Sequence, residues 1–280
     1  MDGPIYANRG DWRGMSDVMQ VGEVEGNDGT QAIRRAATIL RYIAQSAAHH
    51  GPTLNEIGAA VGLSRSTTHR ILKSLVDLGL ASYDAESRRY MIGLLSYELG
   101  LAVSDEVLKL TPWSAAVDRV AHRTGATAYL MRRSGVEAVC VYKREAASVV
   151  RVIPVEVGQR RPLGVGAGAT ALLATLDDRT IERLVSIAAP TLDRFSDLDA
   201  DRIHAIIAEI RTCGFAVSRG RVFGSVFGLG LAVPNGSEPS TLALSIAAHM
   251  SEAEPEKIER WKSVLREEVD QVLAAAEPQP

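Results

Sequence analysis

The 280-residue sequence predicts an α+β protein, with a small helical N-terminal domain that ends in a β-hairpin and a larger domain in which helices pack on an antiparallel sheet. The length corresponds to two domains at roughly 100–200 residues each. Apolar residues recur at helical spacing in the first third of the chain, and strand-like runs that meet at turn residues occur in the remainder. Hydrophobic residues make up 46% and charged residues 23%, a balance typical of a folded globular chain rather than a disordered one.

Several protein classes are excluded by features that the sequence lacks. No uncharged apolar run approaches the ~20 residues that a bilayer-spanning helix needs. Residues 1–28 contain no apolar stretch typical of a secretion signal. The two cysteines, Cys140 and Cys213, cannot build a disulfide framework, and no cysteine–histidine cluster has zinc-finger spacing. We therefore expect a soluble cytoplasmic protein.

Charge is unevenly distributed along the chain, although the net charge is only −3. Residues 1–29 carry a net charge of −4 and show no sustained period, so we expect a mobile N-terminal arm. Residues 30–92 carry +4, and residues 93–280 carry −3. A locally basic segment suits a DNA contact, because phosphate contacts supply most of the sequence-independent affinity for DNA. A solvated surface with a few extra arginines would give the same charge.

Two helix patterns open the basic segment. Apolar residues recur every three or four positions over residues 31–47, which predicts an amphipathic helix. Pro52 ends this helix, because proline lacks an amide donor and fixes φ. Thr53 then caps a second, short helix, with Glu56 three residues later at the capping-box spacing.

A third helix and a hairpin complete this segment. Gly62 provides a tight turn, Ser64 caps the third helix, and Gly79 ends it. Strand patterns at residues 81–83 and 89–91 then flank a polar turn, as in a β-hairpin. This order is the winged helix-turn-helix arrangement, in which the second helix of the pair enters the major groove of DNA.

The start of the third helix predicts a DNA-contacting surface. Its outer side is polar and basic, and hydroxyl and guanidinium groups suit phosphates and base edges. The hairpin, or wing, adds two arginines that are placed to touch the DNA backbone. The predicted DNA-contacting residues are Ser64, Arg65, Ser66, Thr67, Thr68, Arg70, Lys73, Arg88 and Arg89. The alternative is a small helical subdomain that binds no DNA.

The larger domain contains strand and helix patterns that alternate in groups. The predicted strands cover residues 126–132, 136–143, 149–155, 225–233 and 240–248, and the predicted helices cover residues 112–124, 167–175, 178–187, 199–212 and 258–272. Turn residues such as Ser134 and Gly135 join neighbouring strands. Strands that meet in hairpins with helices between them indicate an antiparallel sheet with helices packed on it.

Several segments, taken in order, resemble the IclR family of bacterial transcription regulators. Residues 63–72, LSRSTTHRIL, are similar to the recognition helix of that family. The other similar segments are YMIG at 90–93, the helix pattern at 94–107, VGQRRPL at 157–163, GAG at 166–168, ALLA at 171–174 and IRTCGFAVS at 210–218. They resemble the family's wing, its linker helix, its effector-domain signature and a later passage from helix to strand.

The resemblance implies a winged helix-turn-helix joined by a linker helix to a GAF-like α/β effector-binding domain, assembled as a homodimer or homotetramer. The corresponding segments are an arm at 1–29, the DNA-binding domain at 30–93, the linker helix at 94–107 and the effector domain at 108–276. We therefore predict a ligand-responsive regulator that binds double-stranded operator DNA and a small organic acid or aromatic metabolite. The alternative is a small-molecule-binding or enzymatic α/β module with a structural helical cap.

A glycine-rich segment at residues 164–168 precedes a predicted helix. Helix N-termini favour anions, although close helix packing would also explain the glycines. The family binds small acids beside this helix start, and the resemblance implies effector contacts from Ala167, Gly168, Ser218, Gly228, Ser245 and Ala247.

Two arginines depart from the family pattern, which often shows acidic residues in this region. Our hypothesis is that Arg219 or Arg221 reaches the pocket rim and binds a carboxylate; two solvated loop arginines are the alternative. Aromatic residues that could line an apolar wall of the pocket, or simply pack in the core, are Tyr129, Tyr142, Phe223 and Phe227.

The sequence contains no recognisable catalytic or cofactor motif. The histidines lack HxxxH spacing, no GxSxG elbow occurs, and the glycines match neither a dinucleotide fingerprint nor a P-loop. Cys140 falls in an apolar strand pattern and is expected to be a buried hydrophobe. We predict no enzyme activity, no cofactor and no metal, while a metal site assembled from distant residues stays open.

Overall fold

The computed structural model describes residues 30–46, 50–103, 110–145, 155–192, 198–220, 222 and 224–276. It confirms the α+β class, with helices and antiparallel sheets in two compact units whose described parts are residues 30–103 and 110–276. The predicted arm at 1–29 lies outside the described residues. Within the described residues, no helix combines the length and the apolar character that crossing a membrane requires.

The first unit contains three helices and a two-stranded sheet. They are α1 (Gln31–Gln45), α2 (Leu54–Ala60), α3 (Arg65–Asp77), β1 (Ala81–Asp84) and β2 (Arg89–Ile92). The predicted capping box is present, because the Thr53 amide donates to Glu56 Oε2 at 2.7 Å and the Glu56 amide donates to Thr53 Oγ1 at 3.4 Å. Ser64 Oγ accepts the Thr67 amide at 3.3 Å. These caps satisfy amides that have no partner within a helix, and so set where α2 and α3 begin.

A small core holds the three helices against the wing. Its fully buried members are Ile39, Ile43, Ile57 and Leu72, with Leu75, Ala81 and Tyr90 nearly so. The buried positions of α1 and α3 recur at helical spacing, as the sequence pattern predicted.

Helix α4 (Leu94–Leu101) follows the wing and is shorter than the predicted helix at 94–107. At its end, hydrogen bonds join residues three positions apart, as in a 3₁₀ turn. The Ala102 amide donates to Leu99 O and the Val103 amide donates to Gly100 O, each at 3.2 Å. Residues 104–109 lie outside the described part of the chain.

The second unit is built on a six-stranded antiparallel sheet with the strand order β5-β4-β3-β8-β7-β6. The strands are β3 (Thr127–Ser134), β4 (Glu137–Arg144), β5 (Arg160–Pro162), β6 (Ala216–Arg219), β7 (Val226–Ala232) and β8 (Leu242–His249). The sequence did not predict β5, because three residues with two arginines show no strand period. Of the strand predicted at 149–155, residues 149–154 lie outside the described residues and Val155 belongs to no strand.

Helices cover both faces of this sheet. They are α5 (Thr111–Thr124), α6 (Ala167–Ala174), α7 (Asp178–Leu192), α8 (Ala200–Cys213) and α9 (Pro255–Ala276). Because side chains alternate across a strand, the sheet separates two apolar layers. One layer joins the sheet to α5 and α9, and the other joins it to α6, α7 and α8.

A buried carboxylate and an indole tie α9 to α5. Glu268 is 2% exposed and accepts hydrogen bonds from Arg119 Nε at 2.6 Å and Arg123 Nη1 at 2.9 Å. Trp261 Nε1 donates to Thr124 O at 3.1 Å. Paired charges and satisfied donors offset the cost of burying these groups. These contacts fix α9 against α5 on one face of the sheet. The cavity described below lies on the other face, in the layer that contains α6.

Candidate nucleic-acid interface and effector cavity

A groove of about 650 Å³ runs between α3 and the wing, and we call it the α3–wing groove. Four α3 side chains spaced four residues apart, those at positions 65, 69, 73 and 77, lie along one wall, since residues at i and i+4 share a helix face. The titratable side chains in the wall of the groove are Arg65, His69, Lys73, Asp77, Tyr83, Arg88 and Tyr90. Cations outnumber anions among them, so the groove suits a phosphate backbone.

The outer surface of α3 presents the remaining polar residues predicted for DNA. Ser64, Ser66 and Arg70 are exposed, and Thr67 is half-buried. These side chains lie beside the α3–wing groove rather than in it. Hydroxyl groups at a helix start and an arginine one turn later give the helix both short and long donors for a duplex.

Arg65 is oriented by a neighbour on α2. Its Nη1 donates a hydrogen bond to Asn55 Oδ1. Asn55 follows the capped start of α2, so the capping box indirectly positions the guanidinium of the recognition helix. Asn55 and His69 also line the α3–wing groove, and the sequence analysis did not include them among the candidate residues. Their positions in the two helices of the helix-turn-helix pattern could have indicated them.

The prediction that Thr68 contacts DNA is wrong. Thr68 is fully buried, and its Oγ1 donates to Ser64 O at 3.0 Å. A Cβ atom at Gly58 would lie 3.2 Å from that oxygen, which shows how closely α2 covers it. Position 68 falls on the inward stripe of α3 together with Leu72 and Leu75, so the helical period itself turns it away from solvent.

The two wing arginines have different surroundings. Arg88 is exposed and lines the α3–wing groove, with a left-handed backbone at φ 57°. Arg89 is part-buried, its Nη1 donates to Gly51 O, and the same nitrogen lies 3.9 Å from Glu56 Oε2. Arg89 therefore holds the wing to the α1–α2 connection, and a phosphate contact from its remaining donors stays a prediction.

A cavity of about 60 Å³ lies in the second unit, between the start of α6 and the sheet. Six of the eight residues predicted for the effector line it, namely Ala167, Gly168, Ser218, Gly228, Ser245 and Ala247. They come from α6, β6, β7 and β8, which the sheet order brings side by side. These residues come from distant parts of the sequence and line the same cavity.

Two glycines let α6 approach the sheet closely. A Cβ atom at Gly230 would lie 2.6 Å from the backbone carbon and oxygen of Ala167. A Cβ atom at Gly168 would lie 2.7 Å from Met131 Cγ and 2.9 Å from Ser245 Oγ, within the space of the cavity. Glycine is required at the first position by backbone contact, and at the second it keeps the cavity open.

Arg219, one of the two arginines predicted at the pocket rim, does not reach the cavity. Residues alternate along β6, so Ser218 faces the cavity and Arg219 faces the opposite layer. The guanidinium carbon of Arg219 lies 5.2 Å from the centroid of the Phe227 ring, a cation–π contact. Arg221 lies outside the described residues.

Only one of the aromatic residues predicted for the cavity wall is found there among the described residues. Tyr129 lines the cavity. Tyr142 and Phe227 belong to the layer with α5 and α9, where Tyr142 Oη donates to Asp118 Oδ1 at 3.1 Å. Strand alternation decides these placements as well, and Phe223 lies outside the described residues.

The cavity contains a charged residue that sequence reasoning missed. Arg161 lines the cavity and is 4% exposed, while its neighbour Arg160 faces away and donates to Glu137 Oε2 at 2.7 Å. Burial lowers the pKa of Arg161 to about 10, so the guanidinium remains charged at neutral pH. Burial also raises the pKa of Tyr129 well above its usual value, which keeps the phenol protonated. The sequence shows two adjacent arginines, Arg160 and Arg161. Their side chains point to opposite sides because they lie on β5, a strand that the sequence did not predict.

Groups suited to metal or thiol chemistry are not assembled in the part of the chain that the structure describes. No cluster of three histidine, cysteine or acidic side chains there could hold a metal ion. Cys140 is fully buried as expected, and burial raises the pKa of its thiol to about 12. A thiol with that pKa stays protonated and is a poor nucleophile at neutral pH.

Two family models match the chain in the order of its two units. The IclR helix-turn-helix domain matches residues 32–85, and the bacterial transcriptional regulator IclR C-terminal domain matches residues 109–274. The chain belongs to the IclR family. It is therefore a DNA-binding transcriptional regulator and not an enzyme, which confirms both predictions and sets aside the enzymatic alternative.

Individual relatives and solved structures agree with this assignment. The chain is 26% identical over 257 residues to the HTH-type transcriptional repressor AllR of Klebsiella pneumoniae, covering 90% of this chain and 92% of AllR. It is 28% identical over 201 residues to the HTH-type transcriptional regulator KipR of Bacillus subtilis, covering 70% and 78%. An IclR transcriptional regulator from Alicyclobacillus acidocaldarius superposes with a TM-score of 0.72 at 28% identity, covering 88% and 98%.

A further solved structure shares the fold and holds a ligand. It is an IclR homologue from Microbacterium hydrocarbonoxydans complexed with 4-hydroxybenzoate, with a TM-score of 0.69, 17% identity, and 88% and 100% of the two chains covered.

Proposed function

We propose that this IclR-family regulator controls transcription in response to a small organic acid that binds in the cavity beside α6. The observation that carries the proposal is the cavity itself, which gathers polar groups from four elements around an arginine with 4% exposure. A buried positive charge beside a helix N-terminus favours an anionic ligand. An aromatic acid is the second candidate, supported by the 4-hydroxybenzoate in the structure of similar fold.

We propose that the DNA contacts come from α3 and the tip of the wing. The residues assigned to the duplex are Ser64, Arg65, Ser66, Thr67, Arg70, Lys73 and Arg88. The residues at the start of α3 would meet base edges in the major groove, as in other helix-turn-helix proteins. Those in the α3–wing groove would meet phosphates, because guanidinium and ammonium groups bind them irrespective of sequence.

Assembly into a homodimer or homotetramer is part of the proposal. Large apolar side chains of α4 are exposed within their own unit, with Leu94 at 70%, Tyr97 at 65% and Leu99 at 57%. Apolar surface of this kind is typical of a face that a second chain covers. We propose that residues 94–107 act as the linker between a DNA-binding domain at 30–93 and an effector domain at 108–276. An effector would then shift the spacing of paired recognition helices away from half-sites about 34 Å apart.

The full-length protein and a duplex that it selects from a random-sequence pool, called the selected duplex below, test this proposal. We expect the affinity to fall steeply between 50 and 200 mM salt, by about 10³-fold for six phosphate contacts. We expect propionate or benzoate to change that affinity, with propionamide and benzamide as uncharged controls. Fluorescence anisotropy measures both effects, and sedimentation measures whether the free protein is a dimer or tetramer of the 30.1 kDa chain. Absence of duplex binding at 50 mM salt, or identical responses to acids and amides, would contradict the proposal.

Replacing Arg88 with glycine should weaken DNA binding without destabilising the protein. The left-handed backbone at φ 57° costs a non-glycine residue about 1 kcal/mol, and glycine removes that cost. We therefore expect an unchanged or higher melting temperature, together with a salt slope for the selected duplex that is smaller by about 1 because one phosphate contact is lost. Calorimetry measures the melting temperature, and anisotropy titrations at several salt concentrations measure the salt slope. An Arg88→Lys control, which keeps the charge, should keep the slope; an unchanged slope in the glycine variant would remove Arg88 from the interface.

A further inference from the structure

The α3–wing groove carries cations that are not balanced by carboxylates in the described part of the chain. Lys73 and Arg88 are exposed in its wall, and neither forms an ion pair with any described residue. Asp77 is the one carboxylate among the described residues that line the groove. Cations of the second unit are paired in several places, as where Arg160 Nε lies 2.7 Å from Glu137 Oε2. The groove therefore favours an anionic occupant.

The groove also presents apolar surface beside its cations. Leu54 and Val76 are half-buried in its wall, and the ring centroids of Tyr83 and Tyr90 lie 4.8 Å apart. Tyr83 is 45% exposed, so much of its ring is left uncovered. A phosphate group binds cations but buries little apolar surface, whereas a peptide with carboxylates and aliphatic side chains can contact both kinds of lining. The mixed lining suits an acidic peptide.

A segment with this chemistry precedes α1 in the same chain. Residues 14–29 contain four acidic residues and no lysine or arginine, whereas residues 1–13 contain two residues of each sign. Residues 17–25, DVMQVGEVE, interleave three carboxylates with three valines and a methionine, and we call them the acidic segment. The wall of the groove likewise carries three arginine or lysine side chains, at positions 65, 73 and 88. The segment and the groove are therefore complementary in charge and in apolar content.

The connection to α1 is long enough for the acidic segment to reach the groove. The Gly51 amide donates to Ser46 O at 3.3 Å, and Gly51 lies against the backbone of Tyr90, so the C-terminal end of α1 is next to the groove. Thr30, at the other end of α1, is one helix length away, which is about 22 Å for 15 residues. Asp17 precedes Thr30 by 13 residues, which span up to about 45 Å.

We propose, on the basis of the DNA interface in the proposed function, that the acidic segment of each chain binds in the α3–wing groove of the same chain when no duplex is bound. Its carboxylates pair with Lys73 and Arg88, and its valines contact Tyr83. The segment and a phosphate backbone then compete for the same cations. Because only free protein with an open groove can bind DNA, the apparent affinity for every duplex falls by the open fraction. The segment is an intramolecular competitor of DNA.

The full-length variant D17N/E23Q tests this competition, because it removes two carboxylates from the acidic segment. At 50 mM salt it should bind the selected duplex and a random duplex about 3- to 10-fold more tightly than the wild type, by one common factor, since the competition acts on the free protein. At 300 mM salt the gain should fall below about 2-fold, because salt screens exposed ion pairs. Fluorescence anisotropy measures both affinities.

The arm offers a matched control outside the acidic segment. D2N/D11N removes the same number of carboxylates and should bind both duplexes as the wild type does. V18S/V21S keeps every charge and should tighten duplex binding by about 2- to 3-fold, because contacts with the apolar wall are lost. Melting temperatures check that each variant is folded. An equal gain in D17N/E23Q and D2N/D11N would reveal a general charge effect and would overturn the inference.

A carbodiimide cross-link tests the location of the segment directly. Lys73 is the only lysine within residues 1–108, and carbodiimide joins its amine to a carboxylate in contact with it. Mass spectrometry of the duplex-free wild type should find Lys73 joined to Asp17 or Glu23, and excess duplex should suppress this product. A mixture of isotope-labelled and unlabelled chains distinguishes the two possible sources of the segment. Products that join a labelled to an unlabelled chain, or no product at Lys73, would overturn the inference.

The outcomes separate this inference from the proposed function. If the wild type binds the selected duplex and D17N/E23Q binds it equally well, the inference fails and the proposed DNA interface stands. If neither protein binds a duplex at 50 mM salt, the proposed function fails, and the cross-link by itself decides whether the acidic segment occupies the groove.

Discussion

Trp261→Ala is expected to destabilise the larger unit by about 3–5 kcal/mol, the usual cost of truncating a fully buried aromatic side chain. Trp261 is 1% exposed, and its ring centroid lies 5.7 Å from that of Phe227 on β7. Its indole also donates to Thr124 O at the end of α5, at 3.1 Å. Removal would therefore leave a cavity between α9 and the sheet and an unpaired buried carbonyl. Urea unfolding followed by circular dichroism measures the change in free energy of unfolding.

A conservative variant separates the two contributions. Trp261→Phe keeps most of the apolar volume and removes the donor, so we expect a smaller loss of about 1–3 kcal/mol. The residue lies on the face of the sheet opposite the effector cavity, so a folded Trp261→Phe protein should still bind the ligand of the wild type. Equal stability of Trp261→Ala and the wild type would show that the layer between α9 and the sheet contributes little to holding this unit together.

Arg65→Ala is expected to weaken binding of the selected duplex by about 1–3 kcal/mol, which corresponds to roughly 5- to 150-fold. Arg65 is the first residue of α3, is exposed, and is oriented by the side chain of Asn55. A guanidinium held in this way loses less conformational entropy on binding than a free one. Anisotropy titrations with the selected duplex and with single-base variants of it measure the loss.

The pattern of the loss distinguishes a base contact from a phosphate contact. Loss of a base contact lowers the affinity for the selected duplex most and relaxes specificity at one position, whereas loss of a phosphate contact lowers affinity for all duplexes and reduces the salt slope by about 1. Arg183→Ala is the matched control, because Arg183 is an exposed arginine on α7 of the other unit. Unchanged affinity in the Arg65 variant would remove that residue from the interface and would shift the assignment toward Arg70 and Lys73.

The DNA-binding unit could be predicted almost completely from the sequence, because its information is local. The caps at Thr53 and Ser64 and the helical period each depend on residues only a few positions apart. The same local reasoning failed at Thr68, whose hydroxyl group looked suited to DNA. Its burial depends on how α2 packs over α3, which residue chemistry alone does not specify.

For the effector cavity, too, local sequence patterns predicted some features, and other features depended on contacts between distant segments. The strand and helix patterns along the chain predicted the α+β class, and the resemblance of the ordered motifs to the IclR family implied six residues that line the cavity. Only the tertiary structure decided which of three arginines could serve the cavity. A one-residue change of position along a strand moves a side chain to the opposite face, so Arg161 faces the cavity while Arg160 and Arg219 do not. That choice depends on strand pairing between distant segments, which the sequence specifies only through the complete fold.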